Sequence, residues 1–438
     1  MSQKNNHNNQ QSICLPETDV PRIVVVGAGF AGMNFIKKLK NKPVQIVLVD
    51  QNNYHQFQPL LYQVAIAGLE PDAVNFPVRK LFKTYKNLIF RYAKVTQILP
   101  DENTLKTESG DIPYDYLVLA TGTKINYYGL EDVRQNSIGL KDVYKALNIR
   151  NILIEKFEHT VLTCDKDERK ALTNFVIAGA GPTGVELSGA LAEFKNYILR
   201  RDYPELTPEI MKIYLLEMAP RVLPGMSEKA SRKAHMDLTK LGVNVMVNTK
   251  VNSYDGHKVV TGNNHELIAR TFIWAAGVEG TLPEGLPESV LVKGNRLRVD
   301  ETNRVKISDN IFAVGDIAAM MSEELPKGHP MLAPVAIQQG RNLSKNIMNI
   351  INAKGKIKPF RYKDKGMLAT IGKTRAVADI KKMKLGGFIA WIIWATVHLY
   401  YMVGVKNKMV TALSWFYHYL TYDKANRHIL RGLDEKQQ

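Results

Sequence analysis

The feature that most restricts this chain is a repeated set of short apolar strands that run into glycine turns. The first copy reads RIVVVGAGFAG (Arg22–Gly32), VQIVLVD (Val44–Asp50) and DYLVLATG (Asp115–Gly122). The second reads NFVIAGAGPTG (Asn174–Gly184), KIYLLE (Lys212–Glu217) and TFIWAAG (Thr271–Gly277). Gly27 to Gly122 spans 95 residues and Gly179 to Gly277 spans 98, so the two copies share one spacing. Each strand is a continuous apolar run, as parallel strands buried on both faces require. The repeat predicts an α/β fold with two Rossmann-like domains, and 438 residues leave room for a further region.

The glycines indicate what these domains hold. Gly27, Gly29 and Gly32 form G-x-G-x-x-G between a strand and an apolar helical stretch. Such a turn lets the backbone approach a pyrophosphate, and the helix N-terminus adds free N–H groups and partial positive charge. Asp50 ends the next strand, where an acid can hold ribose hydroxyls. Gly179, Gly181 and Gly184 repeat the pattern, with Glu217 as the later acid. Glu217 would repel a 2′-phosphate, which favours NADH over NADPH, although nearby Arg221 could accept one. Two dinucleotides on one chain suit hydride transfer from a nicotinamide to a flavin. Asp316, in FAVGD (Phe312–Asp316), could place a carboxylate on the flavin's ribityl or phosphate region.

The flanks are different. Residues 1–20 are polar and Asn/Gln-rich and predict a disordered tail without a secretory signal. Near the other end, Leu385–Val405 carries no formal charge, and lysines 381, 382, 384, 406 and 408 flank it. That run is long enough to cross a bilayer of about 30 Å. However, His398 and the dispersed Trp and Tyr residues favour a helix lying in the interface instead. Lys408–Leu420 places Met409, Leu413, Phe416, Tyr417 and Leu420 at amphipathic helical spacing.

Taken together, these segments resemble the type II NADH dehydrogenases, FAD enzymes that reduce membrane quinone without pumping protons. The resemblance runs from residue 22 to about 432. It is most specific in NYHQFQPLLYQVA (Asn53–Ala65), GAGPTGVELSGALAE (Gly179–Glu193), IFAVGDIA (Ile311–Ala318) and LAPVAIQQG (Leu332–Gly340). It implies a glutathione-reductase-like pair of domains, an FAD domain over 21–170 and 305–350 and an NADH domain over 171–304. A C-terminal region over 351–438 would hold the membrane anchor at about 385–432. FAD is then expected on Gly27, Gly29, Phe30, Ala31, Gly32, Asp50, Thr121, Gly122 and Asp316, with Val95 on the adenine side and Ala336 near the isoalloxazine. NADH is expected on Gly179, Gly181 and Gly184, with Glu217 on its ribose and Ala276 and Gly277 against the cofactor. Glu186 matches the family acid beside nicotinamide and flavin, although a first-turn helix acid is also ordinary. The family's quinone motif A-Q-x-A-x-Q reads Ala333-Pro334-Val335-Ala336-Ile337-Gln338 here. Pro334 therefore removes an amide, and the candidates for the quinone site are Pro334, Ile337 and Gln338. The resemblance also implies a homodimer on the cytoplasmic face of the cell membrane.

Rival readings are constrained by cysteine and charge. The chain has two cysteines, Cys14 and Cys164, neither placed as a disulfide reductase or a sulfide:quinone oxidoreductase requires, and no metal site is expected. A ferredoxin-reductase-like enzyme or an apoptosis-inducing-factor-like NADH-binding protein is the alternative, with a non-quinone acceptor. The net charge of +17 first suggests nucleic acid or an anionic membrane, and no nucleic-acid motif accompanies it. Residues 375–438 hold 10 basic and 4 acidic residues, which places part of the excess beside the expected anchor.

Overall fold

The computed structural model describes residues 12–423 and 426–430. The chain divides into two compact units. The first comprises Met1–His55, Pro77–Lys124 and Val278–Asp364, and the second Gln56–Phe76, Ile125–Gly277 and Lys365–Gln438.

Each unit is built on a five-stranded parallel sheet of the expected kind. In the first the spatial order is Ile311–Ala313, Tyr116–Leu119, Arg22–Val26, Gln45–Asp50 and Leu88–Tyr92. In the second it is Ile138–Gly139, Thr271–Trp274, Asn174–Ala178, Lys212–Leu216 and Val243–Met246. The central strand of each sheet is buried along most or all of its length and leads into the glycine turn. Ligands in open α/β sheets bind outside the carboxyl ends of such strands. Each sheet also carries a three-stranded antiparallel meander, at Val95–Leu99, Thr104–Thr107 and Gly110–Pro113 in one unit and at Val251–Tyr254, Lys258–Thr261 and Glu266–Ile268 in the other. The duplication read from the sequence thus extends to the insertions.

The expected boundaries shift for reasons visible in the pairing. Residues 278–304 belong to the first unit because Leu297 pairs with Ala318 and Ile98 N–H donates to Glu284. Residues 125–170 belong to the second, where Ile138 pairs with Ile273. The tail expected over 1–20 is corrected in its described part. Ile13 N–H donates to the Asp111 carbonyl, Arg91 and Gln45 reach the carbonyls of Cys14 and Pro16, and Ile13 and Leu15 pack on the core. Residues 1–11 lie outside the described residues.

The C-terminal region is part of the second unit. Met367–Gly372, Arg375–Ile380 and Met383–Gly386 form an antiparallel sheet, and helix Pro182–Glu193 packs against its first strand. At Gly189 a Cβ would fall inside the Ile371 carbonyl, so only glycine allows this approach. The uncharged run Leu385–Val405 is not one helix. It ends the sheet, turns at Gly387 (φ 73°), forms helix Phe388–Tyr401 and breaks again at Gly404 (φ 85°). Helix Val405–Thr421 follows. Among the described residues, no helix is long and apolar enough to cross a membrane.

Candidate active site

In the first unit the glycine turn is held from several sides. Gly27 has φ 107°, and a side chain there would collide with the Ala120 carbonyl. One at Gly32 would collide with the Gly27 carbonyl, while the space beside Gly29 is open. Helix Phe30–Ile36 starts at Gly29 with no side-chain cap. Ala28 N–H donates to Asp50 Oδ2 at 2.6 Å and Asn52 N–H to Oδ1 at 2.7 Å. Burial raises the Asp50 pKa from its ordinary value, partly offset by these donors.

Among the described residues, three buried polar atoms around this turn lack partners: Thr121 Oγ1, His55 Nε2 and Gln339 Nε2. His55 Nδ1 lies 2.8 Å from the Ala28 carbonyl and so carries the proton, leaving Nε2 bare. Burial lowers the imidazole pKa to about 4. Gln339 Oε1 accepts from Gly315 N–H at 2.7 Å, which fixes the turn bearing Asp316, and Ala336 packs beside Gly315. Val95 opens the meander and Gly122 sits at φ 68° with free space beside it. Ala31 packs against Gly340, where a Cβ would meet its carbonyl. A closely approachable turn ringed by orphaned polar atoms fits FAD. Sequence reasoning missed His55 and Gln339, whose role depends on folded neighbours.

The second unit repeats the cradle. Gly179 has φ 96°, a side chain there would collide with Ala275 and Ala276, and Gly184 sits against the Gly179 carbonyl. Gly181 begins the helix with open space beside it. Glu217 accepts from Ala180 N–H at 2.7 Å and Ala219 N–H at 2.8 Å. Arg221 donates to the Pro224 carbonyl of its own loop. Tyr128 lies flush on Gly277, and its hydroxyl is 3.3 Å from the Ala276 carbonyl. This cradle fits a second dinucleotide.

The expected quinone motif behaves differently. Helix Ala333–Ile351 accommodates Pro334 in its first turn, where the missing N–H would have no helical partner. Ile337 is buried. The Gln338 amide bonds the Lys363 backbone, with Nε2 donating to the carbonyl and Oε1 accepting from the N–H, each at 3.0 Å, and keeps a second N–H and lone pair. Gln338 thus clamps a neighbouring loop.

An open-mouthed cavity lies entirely within the second unit. Tyr62, Gln63, Ile66 and Gly68 line it with Glu186, Ala190, Glu193 and Tyr197, then Thr370, Gly372 and Lys373, and finally Trp391, Trp394, Trp415, His418, Tyr419 and Tyr422. Helical spacing puts Glu186, Ala190 and Glu193 on one face. Glu186 is 7% exposed. Desolvation raises its pKa to about 8, opposed by Thr370 N–H at 3.4 Å and by the Trp394 indole N–H, which faces the carboxyl without reaching hydrogen-bond geometry. Burial, then the Glu186 charge, pushes the Tyr62 phenol well up, while Gln63 Nε2 donates to its oxygen at 2.9 Å. Trp415 Nε1–H donates to Gln63 Oε1 at 2.7 Å. At the mouth Lys373 lies over the Tyr422 ring at 3.5 Å, and its backbone N–H bonds Glu193. Of these residues the sequence singled out Glu186 alone.

The sequence pattern of the pyridine nucleotide-disulphide oxidoreductases matches residues 21–340, and that of the NDH2 C-terminal domain matches 365–422. A type II NADH:quinone oxidoreductase of Mycobacterium tuberculosis is 33% identical over 413 residues, covering 90% of this chain and 87% of that protein. A Staphylococcus aureus enzyme of the same description is 29% identical over 383 residues, covering 84% and 92%. The structure of NDH2 from Plasmodium falciparum in complex with NADH superposes with a TM-score of 0.85 at 22% identity, covering 94% of this chain and all of that one. Fold and cradles define a two-dinucleotide flavoprotein. The chain belongs to the pyridine nucleotide-disulphide oxidoreductases and, within them, to the FAD-dependent type II NADH:quinone oxidoreductases.

The two cradles generate separable expectations. Gly27→Ala should yield folded protein that has lost its flavin absorbance, because the added Cβ occupies the Ala120 carbonyl position. Gly179→Ala should keep flavin but weaken NADH binding at least tenfold, measured by titration of flavin reduction.

Proposed function

We propose that this chain catalyses NADH:quinone oxidoreduction with the quinone head group held in the cavity of the second unit. The observation that supports this most is Glu186, a carboxyl inside an aromatic chamber that keeps its proton at neutral pH. The overall reaction, NADH + H⁺ + quinone giving NAD⁺ + quinol, draws one proton from solution per turnover. Bound FAD supplies the two-electron connection between nicotinamide and quinone.

The chain's own residues perform the rest. The Gly179–Gly184 turn and Glu217 would bind NADH, and the Gly27–Gly32 turn, Asp50, Thr121 and Asp316 would bind FAD. Glu186 would release its proton to a quinone oxygen as that oxygen gains negative charge and would recover it from solvent. Tyr62, Trp394 and Trp415 exclude water, which strengthens polar interactions in the chamber. A non-quinone acceptor is less well supported, because that reading assigns the aromatic chamber no role.

The outer faces of the C-terminal helices support attachment to a membrane surface. Met409, Leu413, Phe416, Tyr417 and Leu420 are 47–64% exposed on one helix, and Phe388, Ile389 and Ile392 are exposed on the other. With Lys381, Lys382, Lys384 and Lys406 exposed nearby, they form the apolar face and basic rim of an interfacial helix pair. A homodimer and the cytoplasmic face of the membrane belong to the same reading.

Steady-state NADH oxidation should be efficient with ubiquinone or menaquinone analogues; efficient turnover with only oxygen or a small redox protein would overturn the assignment. In stopped-flow work Glu186→Gln should slow quinone reduction by about 10²-fold, the scale of general acid catalysis. The wild-type rate should fall as pH rises through about 8, where the proton-bearing form is lost. That fall should be missing in the variant. Leu413→Asp with Phe416→Asp should shift the protein from anionic vesicles to the supernatant in flotation assays.

A further inference from the structure

The first turn of helix Ala333–Ile351 offers few side-chain donors. Position 334 is proline, and the Gln338 amide is bonded at both ends to Lys363. A quinone carbonyl still needs a hydrogen-bond donor, because a desolvated acceptor left unpaired loses what water gave it.

The cavity contains an indole donor that faces the Glu186 carboxyl without forming a hydrogen bond to it. Trp394 is 1% exposed, and its Nε1–H has no hydrogen-bond partner among the described residues. A buried indole N–H ordinarily finds a partner. The ring cannot readily turn toward solvent, since Trp415 packs on it with centroids 5.1 Å apart and His398 at 4.4 Å. Both neighbours are themselves fixed, Trp415 by Gln63 and His398 by the Trp394 carbonyl at 2.7 Å. The free N–H therefore faces the chamber beside the Glu186 carboxyl.

We propose that the Trp394 indole N–H is the hydrogen-bond donor to a quinone carbonyl oxygen. This rests on the reading of the cavity as the quinone site. Glu186 and Trp394 would then present two donors to one oxygen, and both contacts strengthen as electrons arrive and charge develops there. Tyr62, Glu193, Lys373 and His418 are the other titratable groups lining the cavity around the pair.

The test replaces Trp394 with benzothienylalanine, which keeps the shape and exchanges N–H for sulfur, with Trp394→Phe as a second variant. Retained flavin content and far-UV circular dichroism show that each variant folds. The expected result is a 5- to 15-fold rise in the KM for ubiquinone-1, the worth of about one neutral hydrogen bond, with the KM for NADH unchanged. Ultraviolet resonance Raman should show the indole N–H marker moving to its hydrogen-bonded position when a non-reducible quinone analogue binds the wild type. An unmoved marker, or equal quinone affinity in the N–H-free variants, overturns the proposal. Ala190→Phe, which fills the chamber, separates the two readings. If it leaves quinone binding unchanged, the cavity is not the quinone site and the Trp394 assignment falls with it.

Discussion

The chemistry of the second unit depends on the burial of one carboxyl. Gly189 lets helix Pro182–Glu193 lie directly on strand Met367–Gly372, and that contact carries Glu186 into the interior beside Trp394. Burial disfavours the charged form. The folded protein therefore holds Glu186 protonated up to about pH 8, and its stability declines as pH rises from the ordinary carboxyl range toward that value. What costs stability at high pH supplies a proton donor at neutral pH. A compact glycine contact, a desolvated acid and an aromatic wall are thus one arrangement.

The C-terminal helices have two faces with separate uses. Few of their side chains are buried, chiefly Ala390 and Trp394 in the first and Thr411 in the second. The inward tryptophans close the chamber, while Leu413, Phe416 and Leu420 point away into solvent. In the proposed membrane-bound state lipid would cover the outer face and leave the inner wall in place. A hydrophobic quinone tail would then have a route from lipid to the cavity along the same helices.

Much of the fold was legible because its determinants are local. A strand, a glycine at positive φ and a following helix lie within a dozen residues, so both cradles and their acids could be read directly from Gly27–Asp50 and Gly179–Glu217. The amphipathic face at Met409–Leu420 was equally local and emerged exposed as expected. The cavity was not legible, since Tyr62, Glu186, Thr370 and Trp394 come from four separate stretches and meet only through packing. Gln338 shows the same limit: its amide bonds both backbone groups of Lys363, 25 residues onward, a pairing that motif spacing does not reveal. The domain boundaries moved for a similar reason, because short strands such as Ile138–Gly139 join a sheet by pairing that leaves little mark in composition.

In the proposed function the quinone head group occupies the chamber around Glu186 and Trp394. Photo-crosslinking with an azido-quinone, followed by peptide mapping, tests this most directly. Competitive labelling is expected within residues 62–68, 186–197, 370–373 and 391–422. Labelling confined to residues 333–338, with the chamber peptides unmodified, would contradict it.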